Sequence, residues 1–290
     1  MTGHVGRVAL RVTDLDRMVE FYERVIGLRV VRRADDQAIL GVDDPLLCLR
    51  ADPDAAARGP AETGLYHTAF RVPSEAALGD AIHRIESRWR LDGASDHRVS
   101  EALYLTDPED NGVEVYRDYP QSAWPIAADG TVEMDTLALA LDPLREAAAG
   151  DDRCPSGTTV GHVHLEVSSL SAARAFYVDG LGLRVRASMP SALFLATDDG
   201  RDRESPASDR EQSGDQVPER SRPRLYHHHI GCNTWQGRSE PSTGRGLAWV
   251  ELFVDDPAAA RSRLDTSVTE TRDGFTVTDP DGIELRVRRA

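Results

Sequence analysis

The chain contains no lysine: its 34 strongly basic residues are all arginine, set against 49 aspartates and glutamates for a formal net charge of −15. A surface that negative repels phosphate backbones and anionic lipid, so neither nucleic acid nor a membrane is expected as a partner. Cysteine is also scarce. Cys48, Cys154 and Cys232 are odd in number and scattered, which excludes a disulfide framework and fits a reducing compartment. No apolar run is long enough to span a bilayer and the chain does not open like a secretion signal, so a soluble, cytoplasmic protein is expected. High acidity without lysine also suits a halophilic source, because carboxylates stay hydrated and their repulsion is screened in strong salt. At 290 residues there is room for two ordinary domains.

An internal repeat organises the chain. Val5-Gly6-Arg7-Val8-Ala9-Leu10-Arg11-Val12 returns as Val160-Gly161-His162-Val163-His164-Leu165-Glu166-Val167, an offset of 160 − 5 = 155. The same offset carries Phe21-Tyr22 onto Phe176-Tyr177 and Gly27-Leu28-Arg29-Val30 onto Gly182-Leu183-Arg184-Val185. Each copy reads as an alternating strand, a capped amphipathic helix ending at Gly27 or Gly182, and two short strands. A second such unit follows in each half. Its strands include Leu65–Val72 and Gly112–Tyr116 in the first half, and Leu247–Val254 and Gly282–Val287 in the second. The expected fold class is α+β, with four βαβββ modules paired into two tandem half-barrel domains, residues 1–118 and 160–290. Residues 119–159 read as a linker, with Met134–Ala149 as one helix, and 198–224 as a solvated polar insert.

Three of the nine histidines stand together in Tyr226-His227-His228-His229-Ile230-Gly231-Cys232-Asn233-Thr234-Trp235. Read as a strand with period two, this run turns His227, His229 and Asn233 to one side and packs Ile230 and Cys232 on the other. The same parity leaves His162, His164 and Glu166 on the concave face of their strand, and Glu284 and Arg286 on that of the last. In the first half it leaves His67, Glu114 and Tyr116, but Arg7 stands where His162 stands in the second. A cation in place of the first ligand opposes metal binding, so the metal site is expected in the second half, with the first degenerate.

Gly161-His162, His228-His229-Ile230-Gly231-Cys232 and Asp279-Pro280-Asp281-Gly282-Ile283-Glu284 together resemble the vicinal oxygen chelate superfamily of glyoxalases, bleomycin-resistance proteins and extradiol dioxygenases. The arrangement is similar to two-domain catechol 2,3-dioxygenases. That resemblance implies a metal held by His162, His229 and Glu284, with Fe(II) as cofactor (Mn(II) or Zn(II) as alternatives). It also implies a small aromatic diol and O2 as substrates, and a homo-oligomer is compatible with it. The resemblance further implies a catalytic histidine where this chain has Leu193-Phe194-Leu195-Ala196, and a tyrosine about ten residues before the glutamate ligand. Neither has a counterpart around Glu284, which leaves His227 and His164 as the acid–base candidates. Trp235, Phe275, Asn233 and Arg286 are the candidates for binding the ring and its substituents. A glyoxalase-type lyase or isomerase, or a non-catalytic small-molecule-binding protein, would use the same fold.

Overall fold

The structure is a computed structural model describing residues 3–127, 131–197 and 226–290; the polar insert expected at 198–224 lies outside the described residues. The first module holds β1 (His4–Val12), α1 (Leu15–Phe21), β2 (Arg29–Arg33), β3 (Gln37–Gly41) and β4 (Pro45–Ala51). The second holds β5 (Gly64–Arg71), α2 (Glu75–Arg88), β6 (Gly93–Asp96), β7 (Ser100–Thr106) and β8 (Gly112–Asp118). After a connection carrying β9 (Leu137–Ala138) and α3 (Leu141–Ala147), the third module holds β10 (Thr159–Glu166), α4 (Leu170–Arg174), β11 (Arg184–Met189), β12 (Ala192–Ala196) and β13 (Ile230–Asn233). The fourth holds β14 (Gly246–Val254), α5 (Pro257–Arg263), β15 (Thr269–Thr271), β16 (Gly274–Thr278) and β17 (Glu284–Arg289).

Local chemistry explains most of these boundaries. The side chains of Asp14, Ser74, Ser169 and Asp256 each accept a hydrogen bond from the backbone N–H three residues on, capping α1, α2, α4 and α5. α1 runs into a wider turn over Tyr22–Ile26, and Gly27 then takes a left-handed φ of 97° that ends it; Gly182, its repeat mate, has φ 83°. The single helix expected over Met134–Ala149 is shorter, Leu141–Ala147, because Pro143 is tolerated only in a first turn.

The strands form two curled mixed sheets. One runs β15-β16-β17-β14-β1-β4-β3-β2, and the other β11-β12-β13-β10-β5-β8-β7-β6-β9. The first strands of two modules meet at the centre of each: β1 pairs antiparallel with β14, and β5 with β10. The sheets therefore do not follow the sequence halves. The first and fourth modules share one cup, and the second and third share the other.

The apolar faces of both sheets and the helices pack into one continuous core, which includes Val8, Leu10, Phe70, Val163, Leu165, Val250 and Leu252. Two repeat-related contacts tie consecutive modules across it. Tyr22 Oη donates to Asp107 at 2.9 Å, and Tyr177 Oη to Asp279 at 2.9 Å.

Candidate metal centre and cavity

The candidate centre lies on the nine-stranded sheet. His67 on β5, Glu114 on β8 and His162 on β10 all project from its concave face, as strand parity requires. His67 Nε2 lies 3.0 Å from Glu114 Oε2, His162 Nε2 lies 3.2 Å from the same oxygen, and the two ring nitrogens are 3.3 Å apart. All three residues are buried. Metal bonds of about 2.1 Å at right angles put neighbouring ligand atoms about 3.0 Å apart, so this triangle fits one face of an octahedral site. Burial pushes the His162 imidazole down to about 4, which keeps it in the neutral form a metal needs. Burial opposes the charge on Glu114, but the two imidazoles outweigh it and hold the carboxyl well below the usual range.

The set expected from the sequence, His162 with His229 and Glu284, is not brought together. Glu284 is on β17 in the other sheet, partly exposed, and accepts from Arg286 Nε at 2.9 Å. His229 turns away from His162 into a second hollow of about 1130 Å³, where the Thr197 N–H donates to its Nδ1 at 3.1 Å. The cause is a wrong period. The regular strand begins only at Ile230, so Tyr226–His229 does not alternate and the adjacent His227 and His228 both face the first cavity. In the second hollow Arg7 is held by Glu251 through two bonds of 2.9 Å, leaving a closed ion pair at the position corresponding to His162.

The first cavity has a volume of about 340 Å³, and His67, Glu114, His162, His164, His227 and His228 line one part of it. His227 and His228 form a chain. His227 Nε2 is 3.0 Å from Asp118 Oδ1, and His227 Nδ1 is 2.6 Å from His228 Nδ1. A carboxylate can only accept, so the proton belongs on His227 Nε2; His227 Nδ1 then accepts from His228, whose own Nε2 is left as a bare lone pair. That Nε2 is buried without a hydrogen-bond partner among the described residues. Burial, then the neighbouring imidazoles, keep His228 well below its ordinary value, hence neutral. His164, opposite His67 in the strand register, is likewise neutral through burial and has an unpartnered Nε2. Gly231 makes its room, since a Cβ there would collide with the His164 ring.

Tyr104 completes the wall. It pairs with Glu114 in the β7–β8 register and stands ten residues before it, the spacing sought in vain before Glu284. Its hydroxyl is 2.6 Å from His97 Nε2, and burial, then Glu114, push its phenol well above the usual range. Reading Glu114 as the carboxylate ligand would have found Tyr104 from spacing alone. His97, Asp118 and the role of His228 carried no such signal.

The expected binding residues divide. Trp235 lines the cavity and meets the ring of His164 edge-on at 5.1 Å. Asn233 is buried on β13, where its Oδ1 accepts from the Trp235 N–H at 3.2 Å, so it shapes the turn that carries the indole. Phe275 is 1% exposed in the main core, and Arg286 stacks over Trp249 at 4.0 Å in the other sheet; neither reaches the cavity. Glu166, expected on the concave face, is tied up by Arg58 and Arg238.

Two curled sheets of βαβββ modules define a protein of the vicinal oxygen chelate type, and the two histidines and the glutamate that converge in one cup could hold a metal ion. The comparisons agree. The model of the Glyoxalase/Bleomycin resistance protein/Dioxygenase superfamily matches residues 4–115. A catechol-2,3-dioxygenase of Bacillus subtilis (strain 168) is 36% identical over 96% of this chain and 94% of its own length. Biphenyl-2,3-diol 1,2-dioxygenase 3 of Rhodococcus globerulus is 29% identical over 51% of this chain and 83% of its own. Among solved structures, glyoxalase I from Zea mays superposes with a TM-score of 0.58 at 15% identity, covering 99% of this chain and 92% of that one, a likeness of fold alone. The chain belongs to the glyoxalase/bleomycin resistance/dioxygenase superfamily. Among the described residues no helix is long and apolar enough to cross a membrane.

Proposed function

We propose that the protein is an extradiol dioxygenase that opens a catechol-like diol with O2, using Fe(II) held by His67, Glu114 and His162. The observation that carries this reading is the convergence of three buried ligand atoms within 3.3 Å of one another beside a cavity where, among the described residues, His164 Nε2 and His228 Nε2 have no hydrogen-bond partner. Two imidazoles and one carboxylate on a single face suit Fe(II), which when bound would bring diol and dioxygen together and pass electrons from the diol to O2. The remaining work falls to the protein. His228 Nε2, left bare by the chain from Asp118 through His227, takes a proton from the diol. The Asp135 carbonyl holds the His97 proton on Nδ1, so Tyr104 donates its hydroxyl proton to His97 Nε2 and presents its oxygen lone pairs next to Glu114. His164 and Trp235 flank the ring and keep water out.

The similarity to a catechol-2,3-dioxygenase and a biphenyl-2,3-diol 1,2-dioxygenase supports the same reading. The test is anaerobic loading with Fe(II), followed by oxygen uptake on adding a catechol. The expected result is one O2 consumed per diol and a yellow semialdehyde cleaved outside the diol. Iron-loaded protein that binds catechol without consuming oxygen would favour the lyase or binding-protein alternatives.

A further inference from the structure

Resting on the dioxygenase reading, we propose that this cavity selects diols whose ring substituent is uncharged, alkyl or aryl catechols, and rejects catechols carrying a ring carboxylate. The chain has 34 arginines, yet none is among the described residues lining the cavity. Away from the histidines the wall is made chiefly of Tyr66, Val99, Met134, Met189, Phe194 and Trp235. Among the described residues the acidic side chains lining it are Glu114, whose charge the metal would take up on that reading, and Asp135, which repels a second carboxylate. Arg286, the residue the sequence offered for an anionic substituent, is engaged with Glu284 and Trp249 in the other sheet. A carboxylate entering such a site loses its water and gains no guanidinium, whereas an apolar group gains contact with two flexible methionines and three aromatic rings. The connection between the halves supplies part of this wall. Met134, Asp135 and Thr136 sit just before β9, which hydrogen-bonds to β6, and the Asp135 carbonyl lies 2.6 Å from His97 Nδ1.

The experiment compares 3-methylcatechol and 3-phenylcatechol with 3,4-dihydroxybenzoate and 3,4-dihydroxyphenylacetate on the Fe(II)-loaded protein. Anaerobic calorimetry gives Kd, and oxygen uptake gives kcat/KM. The expected result is a preference for the neutral diols on the order of 100-fold in both, as for a buried charge left without a partner. Thr136→Arg, at an exposed position of the wall, should narrow that ratio about tenfold by supplying the missing cation. Equal binding of both classes, or a ratio that Thr136→Arg leaves unchanged, overturns the inference while the dioxygenase reading stands. Failure of every catechol to bind or to consume oxygen overturns that reading, and this one with it.

Discussion

At the scale of single residues, the competing ligand assignments separate cleanly. Losing a supporting residue around a metal costs about 10–100-fold in affinity, so losing a ligand costs at least about 100-fold. Glu114→Gln and His67→Ala should therefore strip iron from the protein, while Glu284→Gln should leave it bound; metal content after dialysis decides. Retention by Glu114→Gln together with loss by Glu284→Gln would restore the set expected from the sequence. His228→Phe should keep the iron and slow ring opening by about 10²–10⁴-fold, the usual yield of general acid–base catalysis. Phe275→Ala belongs to another category. Its ring is in the core, so the change should cost about 3–5 kcal/mol in denaturant titration and leave KM alone.

Among the elements, the turns that start with Asp107 and Asp279 do more than reverse the chain. Each aspartate accepts from backbone N–H groups of its own turn and from a tyrosine of the preceding module, so one carboxylate fixes a turn and docks a helix. Burial raises both to about 6 despite these donors. Tyr22→Phe and Tyr177→Phe each remove a hydrogen bond to a charged group, worth about 1.5–3 kcal/mol, and should lower stability by that amount. They should also raise the aspartate's pKa further, which NMR titration can read. Equal stability in the phenylalanine variants would show that the turn's own amides suffice.

Over the whole molecule, the shared sheets make the halves interdependent. A fragment of residues 1–148 would keep β1 without β14 and β5 without β10, exposing two apolar sheet edges. It should dimerise or aggregate instead of giving a sharp monomeric melt, as sedimentation and calorimetry will tell. Stability against pH is also set globally. His162 and His229, pushed to about 4 and about 3 by burial, and His164 and His228, well below their ordinary value, stay neutral when folded but take up protons below about pH 6.5 when unfolded. Their contribution is complete above pH 6.5 and drains as pH falls, by about 1 kcal/mol per unit for each. The two raised aspartates act oppositely, since the folded state binds their protons first between about pH 6 and 3.8. Four groups outweigh two, so the Tm of metal-free protein should fall from pH 6.5 to 4.5. A flat or rising Tm would mean that water reaches the histidines when folded.

The sequence by itself determined the modules. Repeats, caps and alternation are local, and the β5, β8 and β10 strands obey period two, so the inward orientation of His67, Glu114 and His162 was legible before any coordinates. Which of these inward residues meet was decided only by the tertiary structure. Strand pairing between modules depends on contacts some hundred residues apart, and a repeat is equally consistent with pairing inside each half or across them. The actual pairing of β5 with β10 brings His67 and Glu114 to His162 and leaves Glu284 in the other cup. The irregular backbone before Ile230 decided the rest. Periodicity holds only while the chain is hydrogen-bonded as a strand, and His227 and His228 come just before it is.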